Sequence, residues 1–264
     1  MPTPIKLMEF PVRKAGLSRR EFHLYWQRHH SPHVMNLTGF SQYIRKYMSA
    51  HVYPEEVGGL PRHYGSAEPF EGASELWLGS VGDIGDCLGS PLYGELIQPD
   101  EARFLRQDGS AALILATEET IYAPEADLAE SGLTKLFVLM KSRGGLSWDD
   151  SHSAISDHAR RIVEQTELRQ RLRKLTVSHK IAGPSPDGFE LADIDAALEL
   201  WFDGPGEVAG FFGSPAYLEH VAPREEEAFD VFSVRALVAR LQVIHDEFSF
   251  QPTTMQPFGF RWRP

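Results

Sequence analysis

The chain has 264 residues, 42% of them hydrophobic and 24% charged, with a formal net charge of -11; that is enough for one large or two medium globular cores. The acidity is spread along the sequence and no Lys/Arg-rich stripe is visible, which argues against nucleic acid and anionic membrane as partners. No window reaches the apolar length needed to cross a bilayer, Met1-Pro2-Thr3-Pro4 lacks a basic-then-apolar leader pattern, and Cys87 is the lone cysteine; the expectation is a cytoplasmic protein without disulfides or cysteine metal clusters.

Ile5 to Val12 is a short, mostly apolar run that breaks at Lys14-Ala15-Gly16, as a strand does. Ser18-Arg19-Arg20-Glu21 has the spacing of a capping box, so a helix starts there, with Phe22, Trp26 and His29 or His30 on one face and Pro32 as its stop. From Tyr43 to Val52 the residues alternate, Ile44, Met48, Ala50 and Val52 against Tyr43, Arg45, Tyr47, Ser49 and His51, which predicts a strand with an unusually polar face. Residues 53–72 read as a loop, Ser74 to Gly79 as a third strand, Val81 to Arg106 as short helices and Ala111 to Tyr122 as a fourth strand. The order β-α-β-β-α-β is that of a ferredoxin-like unit.

That order then repeats. Gly16-Leu17-Ser18 is echoed by Gly145-Leu146-Ser147, Glu75-Leu76-Trp77-Leu78 by Glu199-Leu200-Trp201-Phe202, and Gly89-Ser90-Pro91-Leu92-Tyr93 by Gly213-Ser214-Pro215-Ala216-Tyr217. His30 and His51 have partners in His158 and His179, whereas Tyr25-Trp26 becomes Ala154-Ile155. The second copy is predicted as strand 133–142, a helix from Ser147, strands 171–181 and 195–203, helices over 204–228 and strand 230–241, after a linker at about 123–132. The unpaired tail, 243–264, is read as a cover for a sheet edge.

The residues Gly16-Leu17-Ser18, Phe22, Tyr25-Trp26 and His30-Ser31-Pro32, followed by a strand ending in His51, resemble the EthD family; the likeness runs to about Tyr122 and, more weakly, over 133–241. It implies an α+β fold in which two tandem ferredoxin-like units, residues 1–125 and 130–242, form an internal pseudo-dimeric α+β barrel. Family members act in ether and aromatic degradation and as polyketide-tailoring dehydratases and decarboxylases, and related barrels include haem-dependent monooxygenases, so the resemblance fixes fold better than reaction.

The expected pocket is the apolar interior of such a barrel, in the first half, suited to a hydrophobic small molecule. His30 is the candidate proton carrier, with His51 across the cavity and Tyr47 and Arg45 polarising an oxygen; Trp26, Tyr43, Trp77, His158 and His179 are candidate substrate contacts. Each has a plainer reading: His30 as a helix-end cap, His51 bonded to a backbone carbonyl, Trp77 and Trp201 as core. His29, His30 and His33 lack a second ligand group, so no metal site is expected. Glu75 and Glu199 read as strand-edge charges. The leading expectation is a cofactor-independent lyase or isomerase acting on an aromatic or polyketide-like compound. A non-catalytic ligand-binding or accessory protein of an oxygenase pathway and a haem-dependent monooxygenase are the alternatives, and further self-association stays open.

Overall fold

The computed structural model describes residues 3–67, 69–182 and 191–248. Its strands are β1 (Ile5–Phe10), β2 (Ile44–Val52), the two-residue β3 (Gly65–Ser66), β4 (Gly72–Leu78), β5 (Ala112–Tyr122), β6 (Thr134–Met140), β7 (Lys174–Lys180), β8 (Ala196–Phe202) and β9 (Arg235–Asp246). Their order is β2-β4-β1-β5-β7-β8-β6-β9, and β9 returns to pair with β2. The result is an eight-stranded antiparallel barrel, with β3 adding a short parallel pairing to β9. Each half supplies four strands in the same spatial order, and the halves meet at β5–β7 and β2–β9. The two halves therefore share one closed sheet.

Helices cover the outer face. In the first half they are α1 (Arg19–Tyr25), a π-helical turn (Trp26–His30), α2 (Ser31–Asn36), α3 (Thr38–Ser41), α4 (Val81–Leu88), a second π-turn (Tyr93–Ile97) and α5 (Gln98–Glu101). In the second half, α6 (Trp148–Glu164) is one uninterrupted helix. Ser18 and Glu21 form the expected capping box, and Ser147 caps α6 through the Asp150 N–H. No helix among the described residues is long and apolar enough to cross a membrane.

Three local expectations are corrected. Pro32 does not stop the first helix: the chain passes into a π-turn, and Pro32 falls in the first turn of α2, where a missing N–H costs little. The reason is visible in the repeat. Ser18 and His23 align with Ser147 and His152, but by His30/His158 and His51/His179 the first copy has gained one residue; the wide turn absorbs that insertion. Second, a bulge between Ile44 and Lys46 breaks the alternation of β2, so Ile44 joins the helix-side core and Lys46 faces the lumen with Met48 and Ala50. Third, the last strand runs to Asp246, beyond the predicted end at 241, because Val243 and His245 still pair with Met48 and Tyr47. The tail expected to cover an edge falls mostly on residues 249–264, outside the described residues.

The lumen is not the apolar space expected. Lys6, Glu75, Lys135 and Glu199, all 0% exposed, form a closed ring of ion pairs at its centre. Lys6 Nζ lies 2.6 Å from Glu75, 2.7 Å from Glu199 and 2.8 Å from Glu118, and Lys135 Nζ lies 2.6 Å from Glu75. Trp77 and Trp201 sit beneath the ammonium groups, with Lys6 4.7 Å from the Trp77 ring centre and Lys135 4.0 Å from that of Trp201. Burial pushes Glu75 up, but Lys135 and Lys6 outweigh it and hold it below the usual glutamate value. Glu75 and Glu199 are thus central, not edge charges. The linker acid Glu130 plugs one end, accepting from Lys46 and, at 2.9 Å, from Lys174.

Candidate functional site between sheet and helices of the first half

With the lumen filled by charge and ring, the chemistry lies on the other face of the sheet. In β1 the residues Lys6, Met8 and Phe10 point into the barrel, which sends Leu7 and Glu9 toward the helices. In β2 the helix-facing residues are Tyr47, Ser49 and His51, and in β4 they are Ser74 and Leu76. Cross-strand register aligns Ser49 with Ser74 and Ser74 with Glu9. Three polar side chains thus form a row across three adjacent strands, under the helix layer.

The same row in the second half reads Val177, Leu198 and Val138. These are 0%, 3% and 1% exposed and belong to the largest apolar core of the molecule. In the first half Glu9, Ser74, Leu76 and Leu113 all keep accessible surface although they lie on inner strands beneath helices. These side chains thus keep surface open beneath the helices in the first half, and their counterparts in the second half do not. Ile181 and Leu191, from the second half, pack against this layer and supply part of its wall.

The helix layer brings a second acid to the space. Ser90 caps the turn that follows by accepting from the Tyr93 N–H at 3.2 Å, with Pro91 preset for helical entry. That turn aims the Tyr93 hydroxyl at Glu101, 3.1 Å away. Burial and the charge of Glu9 push Glu101 up to about 8, and burial pushes Glu9 up to about 7. Two carboxyl groups that titrate near neutrality, one on each wall, can exchange donor and acceptor roles. Neither was a candidate from sequence; a lone glutamate in the apolar run of β1 was the available signal.

Asp100, next to Glu101, faces the other way. Its two oxygens accept from His30 Nδ1 at 2.9 Å and from the Tyr25 hydroxyl at 2.5 Å. His30 is therefore held in one tautomer against Phe104, with ring centres 4.9 Å apart, and is 8% exposed. The π-turn also presses Trp26 and Ser31 onto the sheet, where Trp26 Nε1–H donates to Tyr47 at 3.3 Å and Ser31 Oγ lies 3.1 Å from the same hydroxyl. Burial holds Tyr47 above the usual tyrosine value.

The remaining candidates lie elsewhere. His51 does not face His30. Its Nδ1 is 3.0 Å from Nδ1 of His23, an unpredicted partner, and its Nε2 is 3.0 Å from Ser49 Oγ. Burial and His23 hold His51 well below the usual histidine value, and burial brings His23 to about 4. Arg45, displaced by the bulge, lies over Gly79 beside Asp83, away from Tyr47. Tyr43 packs at the edge of the helix-side core, and Trp77 lines the lumen. His158 is sealed against Phe229, with Nδ1 unpartnered among the described residues. His179 stacks on His152 with ring centres 4.3 Å apart and bonds Ser156 at 2.9 Å; burial holds His158 and His179 near 4. Cys87 is buried and pushed up to about 12, unsuited to a nucleophile.

His29, His30 and His33 diverge, His30 toward Asp100 and His33 toward the Leu96 carbonyl at 3.3 Å. No group of three or more metal-ligating side chains occurs among the described residues. A wide cleft of about 680 Å³ also opens beside residues 52–67 and the start of β9. Its charged groups are either paired, as Arg19 is with Glu71, or exposed at the rim, as Glu55, Glu56 and Arg62 are, so it lacks the convergent acids of the interlayer space.

Residues 14–108, which contain nearly all of these helix-layer groups, match the EthD domain model. The similarity to the EthD domain thus falls within the first half of the chain. Comparison with curated proteins finds no match. Among solved structures, an anthrone oxidase-like protein is similar at 9% identity over 95% of this chain and 97% of its own, with a TM-score of 0.54. A mutant chlorite dismutase from Candidatus Nitrospira defluvii is similar at 12% identity over 92% and 94%, TM-score 0.51. A monooxygenase-like protein from Lactobacillus acidophilus aligns at 10% identity over 93% and 97%, TM-score 0.51. At such identities the likeness establishes the barrel fold alone.

Proposed function

We propose that the EthD half is a cofactor-independent acid/base catalyst, acting on a hydrophobic, oxygen-bearing aromatic or polyketide-like molecule, and that the second half arose by duplication and completes the barrel as an internal pseudo-dimer. Ser74 and Glu9, which keep accessible surface beneath the helices where Leu198 and Val138 of the other half are sealed, carry this reading. Ionised Glu9, the stronger acid of the pair, takes a proton from a carbon next to a carbonyl. The electron pair moves to the carbonyl oxygen, which receives the proton of neutral Glu101, and reversal of the roles resets the site. The enol so formed leads to elimination where the substrate carries a β-leaving group and to isomerisation where it does not; in a retro-aldol cleavage the same base would instead take a β-hydroxyl proton, the Cα–Cβ bond would break and the enol would be the released fragment. His30, fixed by Asp100, is a second proton carrier at the edge of the same layer.

A haem is not part of this proposal, because the residues present do not fit one. Beside His30 the Ser31 and Trp26 contacts to Tyr47 hold helix and sheet at hydrogen-bond distance, and the core around His158 leaves no slot for a macrocycle. The test is deuterium exchange at the activated methylene of 2-tetralone, followed by NMR. Catalysed exchange should peak between about pH 7 and 8, and Glu9→Gln should reduce it about 10²–10³-fold, the usual contribution of a positioned base. Exchange that is the same in Glu9→Gln and in wild type would remove Glu9 from the mechanism.

A further inference from the structure

The pair Tyr93–Glu101 has a twin, Tyr217–Glu225, built by the same Ser-Pro cap: Ser214 Oγ accepts from the Tyr217 N–H at 3.2 Å as Ser90 does for Tyr93. In both pairs the tyrosine hydroxyl donates to the glutamate. Their surroundings differ. Tyr93 and Glu101 keep accessible surface, whereas Tyr217 and Glu225 are 2% and 1% exposed. What seals the second pair is a phenol from the chain itself. The connection between β2 and β4 crosses to the second half, where Val57, Leu60 and Tyr64 pack on its core. Gly59, at φ +93°, lies so close to Ala209 that a Cβ would stand 2.4 Å from it, so the crossing is fitted to that helix. The Tyr64 hydroxyl donates to Glu225 at 2.7 Å and lies 3.4 Å from the Tyr217 hydroxyl, while its ring sits edge-on to Phe212 at 5.7 Å. His63 adds a contact to Glu225 at 2.7 Å.

We infer that Tyr93 and Glu101 form a receptor for a phenolic hydroxyl, and that Tyr64 occupies the matching receptor of the second half as a built-in ligand. The positions aligned with Phe211 and Phe212 are Cys87 and Leu88, so the first half has lost two rings from the wall against which a phenol would lie. That volume suits a ring larger than tyrosine's, which points to a fused-ring phenol. A neutral phenol is favoured over a carboxylated one because Glu9 and Asp100 lie on either side of Glu101 in this layer, and like charges repel. The inference rests on the first-half cavity proposed above and names the class of molecule that fills it.

Calorimetric titration with 2-naphthol and its methyl ether, 2-methoxynaphthalene, tests it. Wild type should bind one equivalent of 2-naphthol at least 10-fold more tightly than the ether, and Tyr93→Phe or Glu101→Ala should abolish that preference. Equal affinity for the two compounds, or a preference that survives both substitutions, overturns the receptor. In the second half, Tyr64→Ala should expose a site that p-cresol fills, raising the melting temperature of the variant more than toluene does and more than it raises that of wild type. Tyr64→Phe, which keeps the ring, should show no such cresol effect. A folded Tyr64→Ala protein indifferent to p-cresol overturns the built-in ligand. Naphthol binding without exchange of 2-tetralone protons leaves this inference standing and removes the acid/base reading; exchange without a phenol preference does the reverse.

Discussion

The two halves share a strand order and four lumen residues, yet they use the space between sheet and helices in opposite ways. Lys6 and Glu75 recur as Lys135 and Glu199 and meet in one buried ring, so the lumen is where the halves recognise each other. Outside the sheet, Glu9, Ser49, Ser74, Ser31 and Tyr25 recur as Val138, Val177, Leu198, Ala159 and Ala154. The second half is therefore packed through and the first is not. What both copies keep is architecture; what only the first keeps is a set of polar side chains, of which Glu9, Ser74 and Tyr25 retain accessible surface. By that criterion the histidines divide as well. The facing pairs His23–His51 and His152–His179 occur in both halves and read as joints between helix and sheet, whereas the bond from His30 to Asp100 has no counterpart, since Arg224 stands at the aligned position.

The largest expected effect breaks what is shared. Glu75→Ala and Glu199→Ala each strip partners from two buried lysines, and each should cost about 3–5 kcal/mol in urea unfolding. Costs that differ by more than about 2 kcal/mol would mean that the ring is not a symmetric joint. Reciprocal exchange of one row position comes next. Leu198→Ser should destabilise by about 3 kcal/mol through lost packing and a new buried hydroxyl. Ser74→Leu, placed where space is free, should cost less than about 1 kcal/mol while abolishing exchange of 2-tetralone protons. Comparable stability losses from the two exchanges would contradict an open first half.

A pH series separates the halves further. Glu9 is raised in the fold, so its contribution is fully present below the unfolded value near 4.5 and is lost as pH rises through about 7. Glu9→Gln should accordingly stabilise the protein by about 1–2 kcal/mol at pH 8, given the partial exposure of that carboxyl, and by nothing below pH 4.5. His158 is depressed to about 4 by burial. Its neutral form contributes stability above the unfolded value near 6.5, and that stability falls away as pH drops from 6.5 toward 4. A His158→Leu variant should therefore lose less stability than wild type over that interval in thermal melts. Identical acid limbs would show that the fold does not depress His158 below its unfolded value.

Much of the frame was legible from the residues. The repeat, both capped helices and the strand order follow from capping boxes and alternation, which depend on nearest neighbours in sequence. For the candidate site the sequence pointed to a half of the chain and not to its acids, Glu9 and Glu101. His30 sits in the helix layer of that half, but its partner Asp100 lies 70 residues away, and such a distance is closed by the fold alone. The polar face of β2 was visible; the direction it faces was not, because alternation gives two faces without saying which is the lumen. Lys6 and Lys135 are single lysines in apolar strands, a pattern that ordinarily marks an edge, and their pairing with Glu75 and Glu199 exists only once the barrel closes.

The smallest effect concerns the two helix starts. Ser18 and Ser147 both cap, but Glu21 reaches back to the Ser18 N–H at 2.8 Å, and at the shorter Asp150 the bond runs from the Ser147 hydroxyl at 2.6 Å. Ser18→Ala and Ser147→Ala should each cost about 1 kcal/mol. Glu21→Ala should cost a few tenths more than Asp150→Ala, because only the glutamate spans the reciprocal bond to the cap's own N–H. The helix after Ser18 must hold a π-turn two turns further on, whereas α6 runs on without one. A firm start is therefore worth more in the first half, where Trp26, His30 and Ser31 depend on the phase in which that helix begins. If Glu21→Ala also lowers 2-tetralone exchange while Asp150→Ala leaves it unchanged, helix phase reaches the cavity; equal exchange in the two variants would confine both caps to stability.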